Sequence, residues 1–304
     1  MSAIEECRSF AARHGLAVSE KLTRLGEPIV AIAAVRSIVD SAVAAFLAED
    51  IEAQPTIGML HKMLSDILDQ CEDMLVALSS CSPPTAEIIA RATLERGVNL
   101  RYIIGQDRER RLLEYIGEYV STSESMVSGL SKTFAEASPE ERPYFEAALA
   151  QRRWALDFCR GVLPGLAAEL GAQPQTKWPN AWARFKDVGL KVDYWTIYAA
   201  LSAQVHGGPE DLFHELVARS LPRPEQLAQQ LAENAEFSAS MVGGTLKACL
   251  DVALEFCRRF KLSQAAFSTR TVIAEFKASS FAQVPAVQLA AIMAMQATTK
   301  TGQQ

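Results

Sequence analysis

Little in this chain invites a metal or a disulfide. Its six cysteines, Cys7, Cys71, Cys81, Cys159, Cys249 and Cys257, form no CxxC pair, and none lies at ligand spacing from a histidine. That pattern argues against a zinc site, and scattered cysteines on helical patterns read as small hydrophobes in a reducing cytosol. Neither a metal nor a cofactor is expected. Glycine is modest and aromatics make up 8% of the chain, which suits helices better than a sandwich or barrel. No G-x-S-x-G elbow is present, which removes the usual hydrolase nucleophile. Positive charge is not in excess: net charge is −6, which argues against a protein that coats nucleic acid but leaves room for a local basic patch. The N-terminus is charged and amphipathic, with no secretory leader pattern. The most apolar run, Pro28 to Leu47, carries Arg36 and Asp40, so it is expected to be a buried helix with no membrane partner. Cytoplasmic location follows as an expectation.

What is present has helical period almost throughout. Helices are expected over about 2–15, 28–48, 56–78, 85–104, 108–135, 138–170 with a disturbance at Pro164, 180–188, 193–205 and 224–260. Helix 56–78 sets Ile57, Leu60, Leu64, Ile67, Leu68, Cys71, Met74 and Leu75 on one broad face. Ser138-Pro139-Glu140-Glu141 reads as a helix start, with Ser at the N-cap and acids in the first turn. The short alternating piece Thr271 to Phe276 reads as extended. The expected fold is an all-α bundle of about nine or ten helices, with a long helical hairpin over about 108–170. Residues 1–262 are expected to form one domain, and 263–304 a docking or partly disordered extension that includes an apolar segment, Phe281 to Ala297.

Two stretches carry chemistry at matched spacing. One is Arg91-x3-Glu95-x3-Asn99; the other is Tyr198-x3-Ser202-x3-His206, followed by Gly207-Gly208-Pro209. Four-residue spacing puts each set on one stripe of its helix. Facing stripes would gather a guanidinium, a carboxylate, a phenol, a hydroxyl and an imidazole in a helical core. Read functionally, His206 at a helix end is an acid/base or phosphate-binding group, Arg91 binds an anion, and Glu95 orients His206. Tyr198, Ser202, Asn99 and Tyr102 are the candidate ligand contacts. Read structurally, the same residues are a buried hydrogen-bond network, with Arg91 and Glu95 as a helix-crossing ion pair and His206 as a C-cap. The cluster Arg108-Glu109-Arg110-Arg111 reads as a solvated helix face, with an RNA or phosphate surface as the alternative. Trp178 and Trp182 are expected to pack a loop onto the core.

With the segments Ala90 to Ile104 and Tyr198 to Gly207, the chain resembles a widespread bacterial all-helical family of unknown function. Members of that family show an R-x3-E helix, a tryptophan-rich loop and a Y-x3-S-x3-H-G helix. The likeness covers about residues 55–250 and implies a bundle that brings Arg91, Glu95, Tyr198, Ser202 and His206 together. A looser similarity is to helical toxin and abortive-infection ribonucleases, which use an R-x4–6-H motif at a dimer interface. This chain departs from that motif: no arginine precedes His206 at that distance, and the literal match, Arg8-x5-His14, lies on the first helix.

Three functional expectations follow. The first is a binding protein of a bacterial stress or phage-defence type with a polar pocket for an anionic ligand. The second is a metal-independent ribonuclease using His206 and Arg91. The third is a structural protein whose motif residues form a core network. The hairpin and the apolar tail offer surfaces for a homodimer, and a protein partner or RNA are the other partners considered.

Overall fold

The computed structural model describes residues 3–17, 20–49, 55–80, 82–173, 177–206, 216, 223–279 and 281. They are all-α, with no strand among them. The helices are α1 (Ala3–Arg13), α2 (Glu20–Arg24), α3 (Gly26–Glu49), α4 (Pro55–Ser79), α5 (Pro83–Gly105), α6 (Arg108–Glu136), α7 (Arg142–Glu169) and α8 (Ala181–Asp187). A short α9 (Lys191–Asp193) runs into a π turn (Tyr194–Tyr198) and then α10 (Ala199–His206). The last two are α11 (Arg223–Arg259) and α12 (Ser263–Ala278). By its contacts the chain divides into two compact units, Met1–Arg101 with Phe185–Gln304, and Tyr102–Arg184.

In the first unit α3 lies against α1, α4, α11 and α12. The stripe expected on α4 is the core: Ile57, Leu60, Leu64, Ile67, Leu68 and Met74 are essentially inaccessible to solvent. The charges that interrupt the apolar α3 have partners on α4. Arg36 Nη2 sits 2.8 Å from Asp69 Oδ1, and His61 Nε2 sits 2.8 Å from Asp40 Oδ1. Along Gly26–Ala48 α3 is long and apolar enough to cross a membrane, as is α11 along Phe237–Arg259; 33% and 61% of their most apolar windows are buried, and core helices of soluble proteins pass the same test.

The piece 271–276 is helical, not extended. Over all of α12 the buried positions are Ala265, Ala266, Thr269, Ile273 and Phe276, a helical period that a six-residue window is too short to reveal. Residues 282–304, and with them most of the apolar tail, lie outside the described residues.

The second unit holds the hairpin. Helices α6 and α7 run antiparallel, tied by Arg160 Nη2 to Glu124 Oε1 at 2.6 Å and by Arg153 Nη2 to Ser131 Oγ at 3.2 Å. The expected start at Ser138 is a turn instead, and α7 begins at Arg142 with Pro143 in its first turn. The Ser138 amide and hydroxyl both donate to Glu141 Oε2, at 3.0 and 2.9 Å, and hold that carboxyl below its ordinary pKa. The same acceptor was available either way; the turn uses it one step before the helix. The Arg108–Arg111 cluster is not a solvated face throughout. Arg111 is buried, its guanidinium 3.8 Å from the centre of the Tyr102 ring, and it donates to the Tyr102 carbonyl. Tyr119 of α6 is exposed.

Candidate functional site

Helix α5 carries one stripe of polar residues through an apolar helix: Glu87, Arg91, Glu95 and Asn99, each four residues from the last. Their flanks Ala86, Ala90, Leu94 and Val98 are buried, so the stripe borders the core and meets polar groups brought by other helices. Those groups come from the π turn and α10. Arg91 Nε donates to Ser202 Oγ at 2.9 Å, and Arg91 Nη2 donates to the Tyr198 hydroxyl at 3.2 Å. The Tyr198 hydroxyl donates in turn to Glu95 Oε2 at 3.0 Å. The Ser202 hydroxyl donates to the Tyr198 carbonyl at 2.7 Å. Each hydroxyl therefore accepts one bond from Arg91 and donates one onward, which is the full use of its proton.

The guanidinium is held on a third side by the Tyr198 ring, whose centre lies 5.1 Å from Cζ. Glu95 Oε2 lies 4.0 Å from Arg91 Nη2, a loose pair compared with the hydroxyl bonds. Tyr198 is buried, whereas the side chains of Arg91 and Glu95 remain 23% and 28% exposed. Arg91 Nη1 takes no hydrogen bond among the described residues. The site is thus a clamped arginine, partly open to solvent, with a carboxylate at its side.

The π turn explains how Tyr198 reaches α5. The Ala199 amide bonds to the carbonyl of Tyr194, five residues back, so this turn is wider than an α turn. Tyr194 and Tyr198 stack, with ring centres 5.3 Å apart and planes at 26°. Phe185, fully buried, packs against both at 5.4 and 5.0 Å. The other side of the turn meets α11 at a glycine. A Cβ on Gly244 would stand 2.7 Å from Ile197 Cδ1, so this position has room only for glycine while Ile197 keeps its rotamer.

Of the residues singled out from the sequence, Arg91, Glu95, Tyr198 and Ser202 come together. Asn99 is buried one turn beyond Glu95. Tyr102 belongs to the second unit, where it makes an edge contact with Trp178 at 5.3 Å and supports Arg111. Trp178 is buried there between Tyr102 and Tyr115, with Arg184 over its ring. Helix α10 ends at His206, but the His206 side chain lies outside the described residues, as do Gly207, Gly208 and Pro209.

Two residues were missed. Glu87 is buried and accepts a hydrogen bond from the buried Ser238 of α11. The signal for Glu87 was its spacing, four residues before Arg91; nothing in the sequence marked Ser238. Among the described residues no group of three or more His, Cys, Asp or Glu is placed to hold a metal ion.

A family model described as a family of unknown function, DUF5677, matches residues 58–220. That span contains the α5 stripe, the hairpin, the π turn and α10. No curated protein and no solved structure matches the chain.

Proposed function

The chain belongs to the DUF5677 family, whose function is unknown, and on the geometry of its polar cluster we propose that it binds an anionic small molecule through Arg91. The observation that carries this reading is the clamped guanidinium. Ser202 and Tyr198 fix two of its nitrogens, Nη1 is left without a protein partner among the described residues, and the side chain is 23% exposed. An arginine held in this way loses little side-chain entropy on meeting a phosphate or carboxylate, and its planar fork suits two-oxygen recognition.

A second reading is favoured by the completeness of the hydroxyl bonds: the cluster is a network that fixes α10 on α5. The two readings separate by titration. Inorganic phosphate and ADP are the probes, followed by thermal shift and calorimetry on wild type, Arg91→Lys and Arg91→Ala. Anion binding predicts a rise in Tm with wild type that is lost in both variants. A pure network predicts no rise in any of the three and a lower Tm for Arg91→Ala, by the roughly 1–3 kcal/mol of buried partners left unpaired. RNA cleavage by wild type that is lost in a normally folded His206→Ala would move the reading from binding to catalysis.

A further inference from the structure

We propose that α7 is the seam of a two-fold dimer, formed by two copies of this chain packing α7 against α7 in antiparallel fashion about the level of Leu156. One side of α7 is spent inside the hairpin, where Leu149, Leu156 and Ala167 are buried. The opposite side repeats with the three-then-four spacing of a helix-pairing seam and is exposed along its whole length. Its large members are Tyr144, Trp154 and Phe158, at 80%, 70% and 60% exposure, and Trp154 stacks on Phe158 with ring centres 5.9 Å apart. Its small members are Ala147, Gly161, Gly165 and Ala168, and Gln151 is its one polar residue.

The occupant is a second copy because the stripe is complementary to itself. An antiparallel partner centred on Leu156 sets Trp154 opposite the second copy's Phe158, Gln151 opposite Gly161, Ala147 opposite Gly165, and Tyr144 opposite Ala168. Every bulky side chain then meets either a small residue or another ring. A Cβ at Gly161 or Gly165 would touch nothing within 4 Å in the protomer, yet glycine inside a helix costs about 1 kcal/mol relative to alanine.

Three arginines in the middle of α7 are drawn off the seam. Arg153 and Arg160 reach back to Ser131 and Glu124 on α6, and Arg152 reaches Met126 Sδ at 3.2 Å. Asp157, at the flank, has Arg160 Nη1 3.8 Å away. The three aromatic side chains and Val162 contribute on the order of 500 Å² of apolar surface. A helix of 28 residues, about 42 Å long, supplies the remainder of the roughly 800 Å² per partner that a specific dimer needs.

The test is the mass of the full chain by light scattering, with circular dichroism as the folding control. Wild type is expected to be a dimer at about 50 μM, and Trp154→Glu a monomer of unchanged helix content, its dissociation constant raised at least about a hundredfold. Gly161→Leu gives opposite signs: higher thermal stability of the monomer, but weaker dimerisation. In a variant lacking Cys81 and Cys159, Ala155→Cys lies beside the axis and should join two chains through a short bis-maleimide. A wild type that stays monomeric overturns the proposal. So does a dimer that survives both Trp154→Glu and Gly161→Leu, or one that Ala155→Cys does not cross-link.

Discussion

Arg91 and Glu95 are neighbours of opposite charge whose roles at the site oppose each other. Arg91 offers a cation to an incoming anion, and Glu95 offsets it from 4.0 Å. Replacing the carboxylate with a neutral isostere therefore tightens anion binding. Glu95→Gln is expected to raise the affinity for phosphate by roughly 3–10-fold at low salt, an effect that fades as ionic strength rises. Tyr198→Phe has the other sign. It removes the hydroxyl that accepts from Arg91 and donates to Glu95, so the guanidinium loses one of its two fixed contacts. Stability should fall by about 1–2 kcal/mol in urea titrations, and phosphate should bind several-fold more weakly by calorimetry. Equal affinities in the two variants would show that the cluster meets no anion. The four-residue spacing of Arg91, Glu95, Tyr198 and Ser202 was readable from the sequence because it is local. Ser238 was not, since its partner Glu87 lies 151 residues away.

At the scale of the element, the π turn decides the geometry. It carries the aromatic stack of Tyr194 and Tyr198 and delivers the phenol to α5. Its backing is the close approach of α11 at Gly244. Gly244→Ala is expected to destabilise the fold by about 1–2 kcal/mol, because the Ile197 side chain must leave its rotamer. Ile197→Val removes the clashing Cδ1 atom, so the double variant should recover most of the loss that Gly244→Ala causes, a coupling measurable by denaturation of all four proteins. The helical period of 193–205 announced a helix, but a widened turn leaves the apolar pattern nearly unchanged and is set by what packs against it. The same reason explains 271–276, whose alternation is local and whose helix is made by packing on α3 and α11.

At the scale of the whole molecule, buried thiols link stability to alkaline pH. A hydrogen bond with Cys249, followed by burial, pushes Cys71 well above the ordinary thiol pKa, and burial raises Cys257. Their folded pKa values exceed the unfolded ones, so the folded state holds more protons once the unfolded thiols begin to ionise. Stability is therefore fully present below about pH 8.5 and declines above it. Thermal melts from pH 7 to pH 10 should show Tm falling more steeply for wild type than for Cys71→Ala with Cys257→Ala, although the variant starts lower because two buried side chains are cut back. Parallel slopes would mean that these thiols carry no linkage.

The sequence by itself determined the all-α class, the core stripe of α4, the hairpin and the two sets of polar residues. Each of these is written in periods of three and four residues, which the backbone imposes on any helix. Only the tertiary structure decided which polar groups meet. It drew Tyr102 into the second unit beside Arg111, buried an arginine that the local charge pattern placed in water, and joined Arg91 to Ser202 and Tyr198. Those outcomes depend on helix crossings and on one widened turn, and partners 107 and 111 residues apart leave no mark in any local window.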